Sequence, residues 1–182
     1  MARLPYLTRA DLPDHDQDLL KRDIALNRLL AHSPGLARAF TGLAMHIRHA
    51  SRLDARLREL AILQIGWLAR SPYEWSHHVR ISQDFGCTEA DIRAIGVETA
   101  GGDSALEPLA KLVLQGAREM WHGPAMSTAT FDALRPHFDA EALVELTLII
   151  ATYCGLVRFL GTMEIDVEPD YMPYLLAHPL PA

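Results

Sequence analysis

Two apolar helices in close succession constrain this chain more than any other feature. Leu57, Leu60, Ile62, Leu63, Ile65 and Leu68 recur at helical spacing in one run. Ser71-Pro72-Tyr73-Glu74 then reads as a fresh helix start, with Ser71 as N-cap, Pro72 at the first helical position and Glu74 completing a capping box. That second helix continues through Val79, Ile81 and Phe85 and stops at Gly86, a suitable residue just past a helix end. Residues four apart on a helix are offset by about 40°, so Glu74 and His78 share a face. His77 lies about 100° from His78, so the two histidines are not expected to face one pocket.

The rest of the chain repeats the helical period. Residues 1–17 carry no clean pattern and are read as an N-terminal arm. Residues 18–160 form the helical domain, with helices expected from Asp18 to Leu30, from Pro34 to about Ala50, and on to a last long helix from about Ala140 to Leu160. Residues 161–182 hold Pro169, Pro173, Pro179 and Pro181 and are read as an extended C-terminal tail. No segment sustains the period-two alternation of a half-buried strand, so the fold class is all-α. Arg58-Glu59-Leu60-Ala61-Ile62-Leu63 is echoed by Val144-Glu145-Leu146-Thr147-Leu148-Ile149. The echo is either a weak duplication of a helical hairpin or two buried helices that look alike, and the roughly repeated order of short and long helices favours duplication.

Charge and cysteine usage narrow the function classes. A net charge of −6 over 182 residues argues against non-specific nucleic-acid binding. The most apolar run, Leu146 to Val157, is twelve residues and too short to span a bilayer, so no membrane association is expected. No apolar segment follows the N-terminus as in a secretory signal, and Cys87 and Cys154 form no close pair, which makes the cytoplasm the default location.

Glu59 interrupts an apolar helix, and its spacing to the next helix is specific: eleven residues to Ser71, two to Glu74, three to His78. Over residues 29–95 this arrangement resembles the carboxymuconolactone decarboxylase superfamily, which includes the alkylhydroperoxidase D proteins. The peroxidase branch carries cysteines where this chain has Ser71 and Glu74. The form Tyr73-Glu74-Trp75-Ser76-His77-His78 is similar to the cysteine-free, decarboxylase-like branch. The resemblance implies an alkylhydroperoxidase D-like helical bundle, a small-molecule substrate, and self-association as a dimer, trimer or hexamer. A dithiol centre gains from a helix N-terminus that stabilises thiolate; a serine hydroxyl cannot carry disulfide exchange. What remains is an acid–base site, and the resemblance implies that it acts on an anionic lactone or related carboxylate.

On this reading the catalytic candidates are His78, Glu74 and Glu59, with His78 delivering a proton near neutral pH. Tyr73, Trp75, Ser71 and Arg80 are the substrate-binding candidates, with Arg56 as another source of positive potential. Two further readings stand beside it: a non-catalytic binding or assembly relative, in which Glu74 only caps and His78 only packs, and residual peroxidase activity through Cys87 or Cys154. No cofactor and no metal are expected. Glu119-x-x-His122 is one half of a di-iron pattern without its second half, and His46 and His49 read as surface residues.

Overall fold

The computed structural model describes residues 2–181. Among these residues there is no strand. The helices are α1 (Ala25–Leu30), α2 (Pro34–His49), α3 (Ala55–Leu68), α4 (Pro72–Asp84), α5 (Glu89–Thr99), α6 (Pro108–His122), α7 (Thr128–Leu134), α8 (Ala140–Thr162) and α9 (Met172–Ala177). The bundle is built around α3, which packs against α4, α5, α6 and α8. Every residue from Leu57 to Gly66 is buried. A helix enclosed on all sides needs no polar face, which is why the polar residues Arg58, Glu59 and Gln64 are buried along with the leucines. Asp54 starts α3 by accepting the Leu57 amide at 3.0 Å.

The turn between α3 and α4 differs from the sequence expectation in a way that shapes the site. Ser71 does cap α4, its hydroxyl facing the Glu74 amide at 3.5 Å. Glu74 does not reach back, because the Ser71 amide already donates to the Gly66 carbonyl at 3.1 Å. The Arg70 amide donates to Trp67 at 3.1 Å, and Arg70 itself is left-handed with φ 47°. This paired closure of a helix end normally uses glycine at the left-handed position. It spends the amide that Glu74 was expected to cap, so the Glu74 carboxylate turns inward.

Other boundaries shift as well. The helix expected from Asp18 is divided into a 3-10 helix, Asp14–Leu20, and α1; the first of these crosses the arm boundary placed at residue 17. Asp16 and Asp18 hold this segment against α2 through Arg38, at 2.9 and 2.6 Å. The tail is not wholly extended. A 3-10 helix (Pro169–Tyr171) leads into α9, which packs on α4. The twelve-residue apolar run is the middle of the 23-residue α8, which by length and composition alone is long enough to cross a membrane. One side of α8, including Leu146, Ile150, Val157 and Leu160, is buried in the bundle.

The two segments that echo one another have different employments. Glu59 is buried inside the bundle, whereas Glu145 holds the turn before α3 by accepting the Arg52 amide and the Ser51 hydroxyl, each at 2.8 Å.

A left-handed non-glycine residue costs roughly 1–2 kcal/mol, and Arg70 is exposed. Arg70→Gly is therefore expected to raise stability by about 0.5–1 kcal/mol, reduced by the added freedom of glycine in the unfolded chain. Urea unfolding measures it, and a loss of stability contradicts the closure described.

Candidate active site

The first turns of α4 present Tyr73, Glu74, His77 and His78 to one cavity. On a helical wheel Glu74 lies between His77 and His78, and all three line a cavity of about 150 Å³. The expectation that His77 and His78 would face different surroundings is thus corrected: the cavity wraps far enough around α4 to meet both. Its apolar wall comes from α1, α2 and α8, through Leu26, Phe40, Ala44 and Leu156. Tyr153 stands edge-on to the His78 ring, with centroids 5.3 Å apart and planes at 88°.

His78 is held at both nitrogens. Nδ1 is 2.7 Å from Glu59 Oε2, and Nε2 is 3.1 Å from Glu74 Oε1. The second contact is electrostatic and not aligned as a hydrogen bond, which leaves Glu74 Oε1 buried without a hydrogen-bond partner. A buried acceptor left in that condition costs about 1–3 kcal/mol, more when charged. Behind the histidine, Glu59 Oε1 accepts from Arg58 Nε and Nη2 at 3.1 and 3.0 Å, and the Arg58 guanidinium lies 4.5 Å over the Phe85 ring. Glu59 does not line the cavity. It acts on the cavity through His78.

The charges in this chain stabilise one another. Burial works against a charged His78, but the Glu74 and Glu59 carboxylates outweigh it and raise the imidazole to about 9. Burial likewise opposes ionisation of Glu59, and His78 and Arg58 together more than offset it, holding the carboxyl below its usual range. The resting histidine is therefore an imidazolium at neutral pH, not the near-neutral group read from the sequence.

His77 is held by residues the sequence reading did not connect to it. Its Nε2 is 2.8 Å from Glu168 Oε2 in the tail. Its ring is stacked between Tyr73, at 4.1 Å, and Tyr171, at 3.5 Å. Glu168 also accepts the Ala25 amide at 2.7 Å and the Tyr73 hydroxyl at 3.3 Å, while the Tyr73 oxygen accepts the Leu26 amide at 3.2 Å. Burial pushes His77 down, an effect that the Glu168 carboxylate only partly reverses. No periodicity links a lone glutamate in a Pro-containing tail to a histidine ninety-one residues earlier.

The remaining candidates divide. Tyr73 lines the cavity. Trp75 does not: it packs edge-on to Trp67 and donates Nε1–H to the His178 carbonyl at 2.6 Å, on the opposite side of α4. Ser71 is confined to capping. Arg80 is spent on Asp84 at 2.6 Å near the surface, and Arg56 on Asp91 and Glu107 at 2.5 and 2.7 Å. The guanidiniums that do line the cavity are Arg22 and Arg48. Arg48 was missed because a basic residue in the last turn of a helix is ordinary.

Two of the residues weighed for metal have other partners: Glu119 accepts the Ser127 amide and the Thr130 hydroxyl at 2.8 and 2.7 Å, and His46 is 2.9 Å from Glu145. Burial pushes the Cys87 thiol up to about 12 and also raises Cys154. Neither cysteine lines the cavity.

His78 is expected to titrate near 9 in an imidazole NMR experiment, and Glu59→Gln to bring that midpoint down. Because the folded value lies above the ordinary 6.5, the stability His78 contributes is complete below pH 6.5 and lost as pH rises through about 9. A midpoint at or below 6.5 contradicts the two-carboxylate clamp.

Comparison with known proteins bears on the family and the fold. Residues 34–115, which span α2 to the middle of α6, match the Carboxymuconolactone decarboxylase family. An alkylhydroperoxidase AhpD core, an uncharacterised peroxidase-related protein from Ralstonia eutropha JMP134, is 21% identical with a TM-score of 0.78, over 96% of this chain and 95% of that one. A peroxidase-related protein from Silicibacter sp. TM1040 is 15% identical with a TM-score of 0.77, over 93% and 92% of the two chains. A cysteine-to-alanine variant of the debrominase Bmp8, in complex with 2,3,4-tribromopyrrole, is 21% identical with a TM-score of 0.75, over 97% and 99%. At these identities the likeness is one of fold. No curated protein matches the chain significantly.

Proposed function

We propose, for a chain that belongs to the carboxymuconolactone decarboxylase/alkylhydroperoxidase D-like superfamily, that the cavity on α4 carries out acid–base chemistry on a small anionic lactone or related carboxylate. The observation that carries this reading is the buried clamp of His78 between Glu59 and Glu74, with Glu74 Oε1 left without a hydrogen bond in the cavity wall. A group shifted this far and lying in a cleft is the usual mark of a functional acid or base.

In a decarboxylation the bond from the ring carbon to the carboxylate breaks. Its electron pair moves into the conjugated lactone carbonyl as an enolate, and CO2 departs. The carbon then takes a proton. His78 supplies it from Nε2, the nitrogen nearer the cavity, while Glu59 holds Nδ1–H and fixes the ring. Glu74 is 3.1 Å from that nitrogen and returns a proton to it from solvent for the next turnover. An imidazolium already charged at neutral pH suits the role of acid, and the developing enolate is stabilised by the same cation.

Thiol chemistry fits less well. The cavity wall holds no cysteine, and both thiols are pushed away from the thiolate form. Dithiol-based hydroperoxide reduction would need a thiol that this cavity wall lacks.

A positioned acid contributes on the order of 10²–10⁴ in rate. His78→Gln is therefore expected to lower kcat for decarboxylation of unsaturated lactone acids by about that factor, measured by CO2 release and by deuterium incorporation at the ring carbon. Cys87→Ser with Cys154→Ser is expected to leave that rate unchanged. Full activity in His78→Gln removes the assignment; absence of turnover by the wild type across a panel of such acids favours the non-catalytic relative.

A further inference from the structure

The arginines that hold this fold together are matched by carboxylates: Arg38 by Asp16 and Asp18, Arg56 by Asp91 and Glu107, Arg58 by Glu59, Arg80 by Asp84. Arg48 departs from that pattern. It lines the cavity from the last turn of α2, half-buried, and makes no ion pair and no hydrogen bond with any other described residue. Arg22, also in the cavity wall, is occupied only by a long contact of 3.5 Å to the Tyr171 hydroxyl. On α4 the wall holds an unsatisfied acceptor of the opposite kind, Glu74 Oε1, on a side chain only 3% exposed. The surface between them is mostly apolar or aromatic.

We propose that Arg48 is the anion anchor of this site, and that the cavity takes a single-ring carboxylic acid bearing a hydroxyl or enol group. The carboxylate lies on Arg48, the ring in the apolar middle, and the O–H donates to Glu74 Oε1. A guanidinium presents paired donors that match a carboxylate's two oxygens. Size limits the enclosed part of the ligand to about one ring, since a closed apolar cavity of about 150 Å³ in another protein takes one benzene. The donor on the ligand is set by Glu74, which can only accept while ionised. This rests on the acid–base reading for the identity of the site but not for its test, because binding alone is measured. It also moves anion recognition from Arg80 and Arg56, whose guanidiniums are spent elsewhere, to a residue on a different helix.

Titration calorimetry with 3- and 4-hydroxybenzoate, benzoate and phenol tests the assignment on the intact protein. At least one hydroxybenzoate is expected to bind the wild type and to weaken by about ten- to a hundred-fold in Arg48→Gln, with partial recovery in Arg48→Lys. Phenol, which lacks the carboxylate, is expected to bind both equally. Benzoate is expected to bind the wild type roughly ten-fold more weakly than the better hydroxybenzoate, a comparison that needs no variant of Glu74. Circular dichroism checks that the Arg48 variants are folded. Unchanged hydroxybenzoate affinity in Arg48→Gln overturns the anchor, equal affinity for benzoate overturns the Glu74 contact, and no binding by the wild type at millimolar ligand overturns both. Failure of decarboxylation with binding intact would instead sink the acid–base reading and leave this one standing.

Discussion

Four charged side chains, Arg58, Glu59, His78 and Glu74, are buried in a row between α3 and α4, and the structure around them is built to make that tolerable. Removing one member of a buried ionic set leaves its partner uncompensated, at about 3–5 kcal/mol. The row is neutral when the two basic groups are protonated and the two acids ionised, so none of the four faces the interior alone. Arg58, Glu59 and His78 Nδ1 are joined by hydrogen bonds. Glu74 alone keeps an oxygen without a hydrogen-bond partner, and it is the member that meets the cavity. The strain of an incompletely satisfied network is thus concentrated at the point where a ligand arrives, a placement common at functional sites.

This organisation explains why α3 must be enclosed on every side. An amphipathic helix would put Arg58 and Glu59 in water, where the pair is worth little. With α4, α5, α6 and α8 packed around it, the same carboxylate works in a medium that magnifies its effect on His78. The echo at Glu145 shows the contrast. A similar run on α8, with the glutamate only partly buried, supports a loop instead of a histidine.

Much of this was legible in the sequence, and the boundary of what was not has a physical cause. The all-α class and the α3–α4 hairpin followed from helical period and caps, because each depends on residues near one another in the chain, while the family resemblance brought Glu59 and His78 to one site. The inward turn of Glu74 did not follow. It hangs on the backbone of Arg70, whose left-handed conformation lets the Ser71 amide bond to Gly66, and an arginine carries no signal for that conformation. Arg48, Glu168 and Tyr171 reach the site through packing across long separations, where local pattern is silent. The expectation that His77 and His78 would part company failed for another reason: a wheel gives the angle between side chains but not the width of the cavity that receives them.

The wall beside His77 is the last part of the site to be synthesised. By the time Glu168 and Tyr171 leave the ribosome, α1 to α8 have already been made and can have begun to pack. Until then the His77 ring has only Tyr73 against it, and the α1 amide at Ala25 has no carboxylate to meet. Assembly order gives the tail a role that its composition conceals: it is a closing piece, the last part of the chain to reach the site.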